Sequence, residues 1–242
     1  MRQEYLTTCQ PFILGLTNAT NRLGQDQSEL EGRITITAPI NMTQAWLKEC
    51  LFSFAAKFPN ITLDVQLQNE KVDLVDAQVD IAFRVGDELA QDWVARNLWS
   101  SPYGLVAHQS YLDQYGDIRH PSELDRHKLV SVSSLKNWSM TEQSSGEKYT
   151  IQGPYLFESN DVLVVREAVS YGMGIGWMPP YYFNNPSHAN SGLVSVLPEW
   201  LGQARPIKLL YRDRDMMPAR IQVFIQHVLE WKSLQTAPYA SL

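Results

Sequence analysis

Cysteine is scarce in this sequence: Cys9 and Cys50 are the two present, and they belong to no motif. A disulfide framework is not expected in a chain of 242 residues, and two reduced thiols predict a cytoplasmic protein. Long apolar runs are missing as well. No window approaches the roughly 20 apolar residues that span a bilayer, so no membrane association is expected. PFILGL near the N-terminus is too short for a signal-peptide core, and no small-residue cleavage site follows it. Basic charge is in deficit, with 20 Lys and Arg against 26 Asp and Glu, a net charge of -6. That balance argues against this chain holding nucleic acid by itself, which takes a clustered basic surface.

The usual handles of catalysis are also absent. His108, His120, His127, His188 and His227 are scattered, with no H-x-x-x-H and no cysteine at zinc spacing. No metal and no other cofactor is expected on that count. There is no G-x-S-x-G elbow and no P-loop. The acidic residues Asp73, Asp76 and Asp80 read as helix-terminal caps rather than acid–base machinery. No catalytic residue is assigned, and an enzyme is not expected.

What is present is an alternation of strand and helix patterns. Hydrophobic residues make up 44% of the chain, enough to build a buried core. Leu6, Cys9, Ile13, Leu16 and Leu23, with Thr20 filling the gap before the last, step by threes and fours and predict a helix over 3–23, with Pro11 inside it. RITITAPI alternates as a strand, and MTQAWLKECLFSFAAKFP places Ala45, Trp46, Cys50, Phe54 and Phe58 at helical spacing before Pro59. NITLDVQLQN predicts a strand, EKVDLVDAQ a short helix, and VDIAFRVG a further strand. This order implies parallel strands with right-handed crossovers. PYGLVAHQSYLDQYG reads as strand then helix, PSELDRHKLVSVSS as a helical turn then strand, and EKYTIQGPYLFES as paired strands. NDVLVVREAVSYG predicts a helix capped by Asn160, with Val162, Val165 and Val169 on one face. ARPIKLLYRD and ARIQVFIQHVLEWKSL predict a last strand and an amphipathic helix.

Gly172, Gly174 and Gly176 in YGMGIGWMPP superficially resemble a phosphate-cradling loop. Their order is the reverse of a dinucleotide fingerprint, because a helix precedes them and a strand follows. Gly172 is expected just past the helix in a left-handed conformation. Gly174 and Gly176 are expected in a strand that another backbone or a ligand approaches closely.

Five segments, taken in order, resemble the effector-binding domain of LysR-type transcription regulators. They are EGRITITAPINMTQAWLKECLFSFAAKFPNITLDV, VDLVDAQVDIAFRVGDELAQDWVARNLW, GLVAHQSYLDQYGDIRHPSELDRHKLV, SNDVLVVREAVSYGMGIGWMP and PIKLLYRDRDMMPARIQVFIQHVLEW. DIAFRVG and YGMGIGWMP are the most specific pieces. The opening helix resembles the family's linker helix, although Pro11 interrupts it. The winged helix-turn-helix of such regulators is not found in this sequence, so DNA is expected to be met only through an N-terminal module outside this chain.

The resemblance implies an α/β, periplasmic-binding-protein-like fold: two lobes, two hinge crossings and an interlobe cleft, preceded by the linker helix. The expected divisions are 1–31 for linker helix and linker, 33–102 plus 207–235 for lobe I, and 103–206 for lobe II. The crossings are expected near residues 101–104 and 204–207, marked by Pro102 and Pro206. The expected role is effector sensing and oligomerisation, as a homodimer or tetramer, for a LysR-type regulator. A solute-binding protein or a small-acid enzyme on the same fold is the alternative.

Small ligands lie at the carboxyl ends of strands, beside helix N-termini that favour anions. That rule selects Asn41, Met42 and Thr43 after the first strand, and Arg84, Val85 and Gly86 after the third. From the second lobe it selects Ser131 and Ser133, taken as one strand face, Asn160, and Met173 and Gly174 beside the helix end. Hydroxyls, one arginine and two helix N-termini describe a seat for a small anion, expected to be a carboxylate.

Overall fold

The computed structural model describes residues 30–69, 78–87, 93–135, 137–183, 191–212 and 217–234. The helix predicted over 3–23 lies outside them, with Cys9 and Pro11, as does nearly all of the short helix predicted over 70–78.

The first lobe is a five-stranded sheet. β1 (Gly32–Ala38) pairs in parallel with β2 (Ile61–Leu67) and β3 (Ile81–Val85), as the strand–helix–strand pattern demands. β4 (Trp93–Ser101) and β13 (Arg205–Arg212) complete the order β2-β1-β3-β13-β4, with β13 antiparallel to both neighbours. Helix α1 runs from Ile40–Met42 through a π-helical segment, Thr43–Leu47, into Lys48–Lys57. Its buried face is Ala45, Trp46, Cys50, Phe54 and Phe58, and the turn at Pro59 ends it. Helix α4 (Ala219–Leu234) packs beside α1 through Phe224, which meets Phe54 edge-on at 4.9 Å. Burial pushes the Cys50 thiol up to about 12, so it stays a protonated core group.

The second lobe is a sheet of order β11-β5-β10-β6-β9. Its strands are β5 (Gly104–His108), β6 (Leu129–Val132), β9 (Phe157–Ser159), β10 (Ile175–Met178) and β11 (Leu193–Val196). Helix α2 (Gln109–Tyr115) follows β5, and α3 (Val162–Ser170) follows β9 and buries Val165 and Val169 against the sheet. A small antiparallel sheet of β7 (Trp138–Glu142), β8 (Lys148–Ile151) and β12 (Trp200–Gly202) flanks it. Two expectations are corrected here. The strands in EKYTIQGPYLFES do not pair with each other: β8 folds back on β7, while β9 joins β6 in parallel. The cap of α3 is Asp161, not Asn160, because the Asp161 carboxylate accepts from the Leu163 and Val164 amides at 2.7 and 3.4 Å.

Gly172 and Gly176 fall where they were expected, just past α3 and within β10, while Gly174 lies one residue before that strand. Gly172 has φ +71° beyond α3, where a Cβ would be strained. Gly174 lies against the Lys128 carbonyl, so the close neighbour is backbone. One apolar core joins the two lobes: Ile36, Trp46 and Phe83 from the first are continuous with Val106, Val165 and Met178 from the second through Tyr181 and Tyr182. A second core, around Trp138, Trp177 and Tyr111, lies on the other face of the second sheet.

Candidate functional site

Strand register fixes which sheet ends meet. In the first lobe β1 and β3 end on the same side of the sheet, β1 at Ala38 and β3 about two residues further on at Val85, and the Gly86 amide donates to the Pro206 carbonyl at 2.8 Å. In the second lobe Met178, at the end of β10, stands opposite Gly104, the first strand residue after Pro102 and Tyr103. β6 and β9 run parallel to β10 and end on that same side, at Val132 and Ser159. The turn Pro180–Tyr182 then touches the π-helical segment of α1 across the space between the lobes.

Asn41 sits in the first turn of α1, and its Oδ1 is buried with no hydrogen-bond partner among the described residues. It is not the cap: the Ile40 amide donates to the Asn69 side chain at 3.0 Å. Thr43 is buried, and its hydroxyl donates back to the Pro39 carbonyl at 3.0 Å. Met42 is core. Val85 packs on the same core, and Gly86 turns the chain at φ +111°. Arg84 points to the opposite sheet face from α1, in the row of Ala82 and Leu210. One guanidinium nitrogen donates to the Phe83 carbonyl at 2.9 Å, while Nη2 is buried without a partner among the described residues. Burial lowers its pKa, because charge in a low-dielectric surrounding is costly.

The second lobe divides the remaining residues. Ser133 and Asn160 lie at the strand ends that meet the first lobe, and the Ser133 amide donates to the Ser159 carbonyl at 2.8 Å. Ser131 does not share a strand face with Ser133: β6 stops at Val132, and Ser133 is in the turn beyond. The Ser131 hydroxyl is buried and accepts from Trp138 Nε1 at 3.1 Å, inside the second core. Met173 and Gly174 precede β10, at the end of the sheet away from the crossings, where Gly174 abuts Lys128 just before β6. Strand direction removes them from this space.

Sequence reasoning missed the turn that takes their place. Tyr181 and Tyr182 stand 4.5 Å apart by ring centres, both buried, and burial raises both phenols well above their ordinary value. They are neutral hydroxyls at any physiological pH. Arg166, buried on α3, donates to the Tyr182 carbonyl at 2.8 Å and ties the turn to its lobe. Arg205, at the start of β13, acts electrostatically on the Tyr181 phenol, and its guanidinium lies beside Gly86. The signal was available: Pro179, Pro180, Tyr181 and Tyr182 follow a buried strand at its carboxyl end. No group of three or more metal-ligating side chains occurs among the described residues, and no helix among them is long and apolar enough to cross a membrane.

Two α/β lobes joined by paired crossings, with strand ends facing each other, are matched by the family model described as the LysR substrate binding domain, over residues 27–233. The chain belongs to that family. Among its LysR-type relatives is an HTH-type transcriptional regulator of Xanthomonas campestris pv. campestris, 28% identical over 233 residues; the match covers 93% of this chain and 67% of that protein. The regulatory domain of AphB from Vibrio vulnificus is similar in structure, with a TM-score of 0.74, 29% identity, and coverage of 83% of this chain and 98% of that one. Full-length AphB of Vibrio cholerae, a virulence activator, matches at TM-score 0.75 and 29% identity, covering 94% of this chain and 78% of that one. The periplasmic-binding-protein-like α/β fold read from the sequence is therefore the fold of this LysR-type domain.

Proposed function

We propose that this domain senses a small carboxylate between its lobes, and so modulates DNA binding by an N-terminal module outside this chain. Arg84 supports this reading most strongly. It is a half-buried guanidinium near the strand end, with one nitrogen buried and unpartnered among the described residues. A charged group in that setting is stable when an anion supplies the missing acceptor. Asn41, residues 42–43 and 85–86, Ser133, Asn160 and the Tyr181 turn form the rest of the proposed wall. The first turn of α1 adds partial positive charge.

Arg84→Ala is expected to weaken binding of a screened carboxylate by roughly ten- to a hundredfold, since a charged hydrogen bond contributes about 1.5–3 kcal/mol. Arg84→Lys should recover part of that loss, lacking the planar fork. Arg220 lies at the far end of the first lobe, donating to the Arg33 carbonyl at 2.9 Å, and its replacement by alanine should leave affinity unchanged. Titration calorimetry reads all three. Equal affinity for wild type and Arg84→Ala, or tightest binding of a neutral ligand, defeats the anion reading.

The same proposal includes self-association as a homodimer or tetramer. Phe52 on α1 is 69% exposed, and Leu156 and Val164 of the second lobe are also exposed, so each lobe carries uncovered apolar side chains. Light scattering is expected to show dimers that survive deletion of residues 1–30. A clean monomer after that deletion would place association in the N-terminal segment alone.

A further inference from the structure

We infer that Lys208 is a second cation of the anion seat, and that the Asp87 carboxylate holds its place until a ligand carboxylate displaces it. The inference rests on the reading of Arg84 given above and adds to it. Lys208 of β13 stands directly opposite Arg84 of β3 in an antiparallel pair, so both side chains leave the same sheet face. Their Cβ atoms are then about 5 Å apart, a distance at which like charges destabilise a sheet. The row continues an apolar one, since the next pair on that face is Ala82 with Leu210.

Lys208 is buried, 8% exposed, which a lysine tolerates when its charge is met. What meets it is loose. Its Nζ donates to the Asp87 carbonyl at 3.3 Å, and the Asp87 carboxylate lies at 3.6 Å, beyond good hydrogen-bond length, with its side chain 85% exposed. Asp87 follows Gly86, whose φ of +111° turns the chain at the end of β3. Among the described residues the pair therefore holds a buried lysine, a half-buried arginine with its unspent Nη2, and one exposed carboxylate. One carboxylate bridging Nη2 and Nζ satisfies both donors and relieves the repulsion between them. Asp87, freed from Lys208, gives up only a loose ion pair, because its side chain already lies largely in water.

The test measures binding of succinate and of inorganic sulfate by thermal shift, at ionic strength held constant with sodium chloride. The Arg84→Met/Lys208→Met double variant supplies the baseline for the general stabilising effect of sulfate. Lys208→Met is expected to weaken both anions by about tenfold or more relative to wild type. Asp87→Asn should tighten both severalfold, because it removes the internal competitor and leaves a side chain of the same size. Lys208→Arg keeps the charge and should retain most of the binding, which separates lost charge from lost packing. If Lys208→Met binds like wild type while Arg84→Met does not, the role of Lys208 is overturned and the Arg84 reading stands. If neither variant differs from wild type, or wild type matches the double variant, both fall. Unchanged or weaker binding by Asp87→Asn overturns the placeholder role.

Discussion

Replacing Gly174 with alanine costs the domain about 3 kcal/mol or more in a urea titration, though the change adds one methyl group. A Cβ at this position stands 2.3 Å from the Lys128 carbonyl oxygen and 2.8 Å from its carbon. Neither atom is able to swing aside, as both belong to the backbone. The Ile175 amide donates to that same carbonyl at 2.9 Å, so retreat of one strand from the other breaks the first bond of the β10–β6 pair. Gly176 is the control. There a Cβ meets the tips of Val169 and Met178, at 2.7 and 3.1 Å, and those side chains have rotamers to adopt. Gly176→Ala is expected to cost about 1–2 kcal/mol. A Gly174→Ala protein within about 0.5 kcal/mol of wild type, or less damaged than Gly176→Ala, would refute the account.

The second large effect belongs to Trp46, where alanine is expected to cost about 3–5 kcal/mol. Trp46 is fully buried in the π-helical segment of α1. It stacks on Trp231 of α4 at 5.8 Å and meets Trp99 of β4 edge-on at 4.8 Å and Phe83 of β3 at 6.5 Å. Removing the indole leaves a cavity where two helices and two strands converge, and relaxation closes such cavities only in part. Trp46→Phe keeps an aromatic plane and should recover about half of the loss. Near-ultraviolet circular dichroism checks the assignment: the signal of the stacked indoles falls in both variants, while far-ultraviolet helix content persists at low temperature. A Trp46→Ala protein as stable as wild type sinks this reading of the core.

How far the sequence carried the fold depended on whether its signals were local. The alternation in RITITA and the spacing of Trp46, Cys50 and Phe54 are local, and both produced the right element with the right face inward. WVARNLWSS carries arginine, asparagine and serine among its apolar residues, so β4 did not stand out as a strand. Its pairing partner β13 comes from near the end of the chain, and no short window contains both. The α3 cap missed by one residue because Asn160 and Asp161 have the same capping chemistry, and backbone direction alone separates them.

The candidate site was legible where strand order was enough. Residues 41–43 come just after β1 and residues 84–86 close β3, and the parallel pairing of those strands follows from the chain order. Met173 and Gly174 were drawn in by nearness to a helix end, but the register of β10 with β5 turns that end away. Ser131 was chosen for its hydroxyl, which Trp138 occupies from the other core. Lys208 was invisible for a similar reason: nothing near it in the sequence shows that Arg84 is its neighbour.

The two lobe crossings are strands of one ladder. β4 and β13 pair as far as Ser101 with Arg205, and beyond them the Gly202 amide donates to the Tyr103 carbonyl at 2.9 Å. A joint of this kind resists shear between its legs, since sliding one past the other breaks bonds that bending preserves. The ribbon and the apolar core that joins the lobes act together, since sliding one lobe past the other would break ladder hydrogen bonds and uncover core side chains at once.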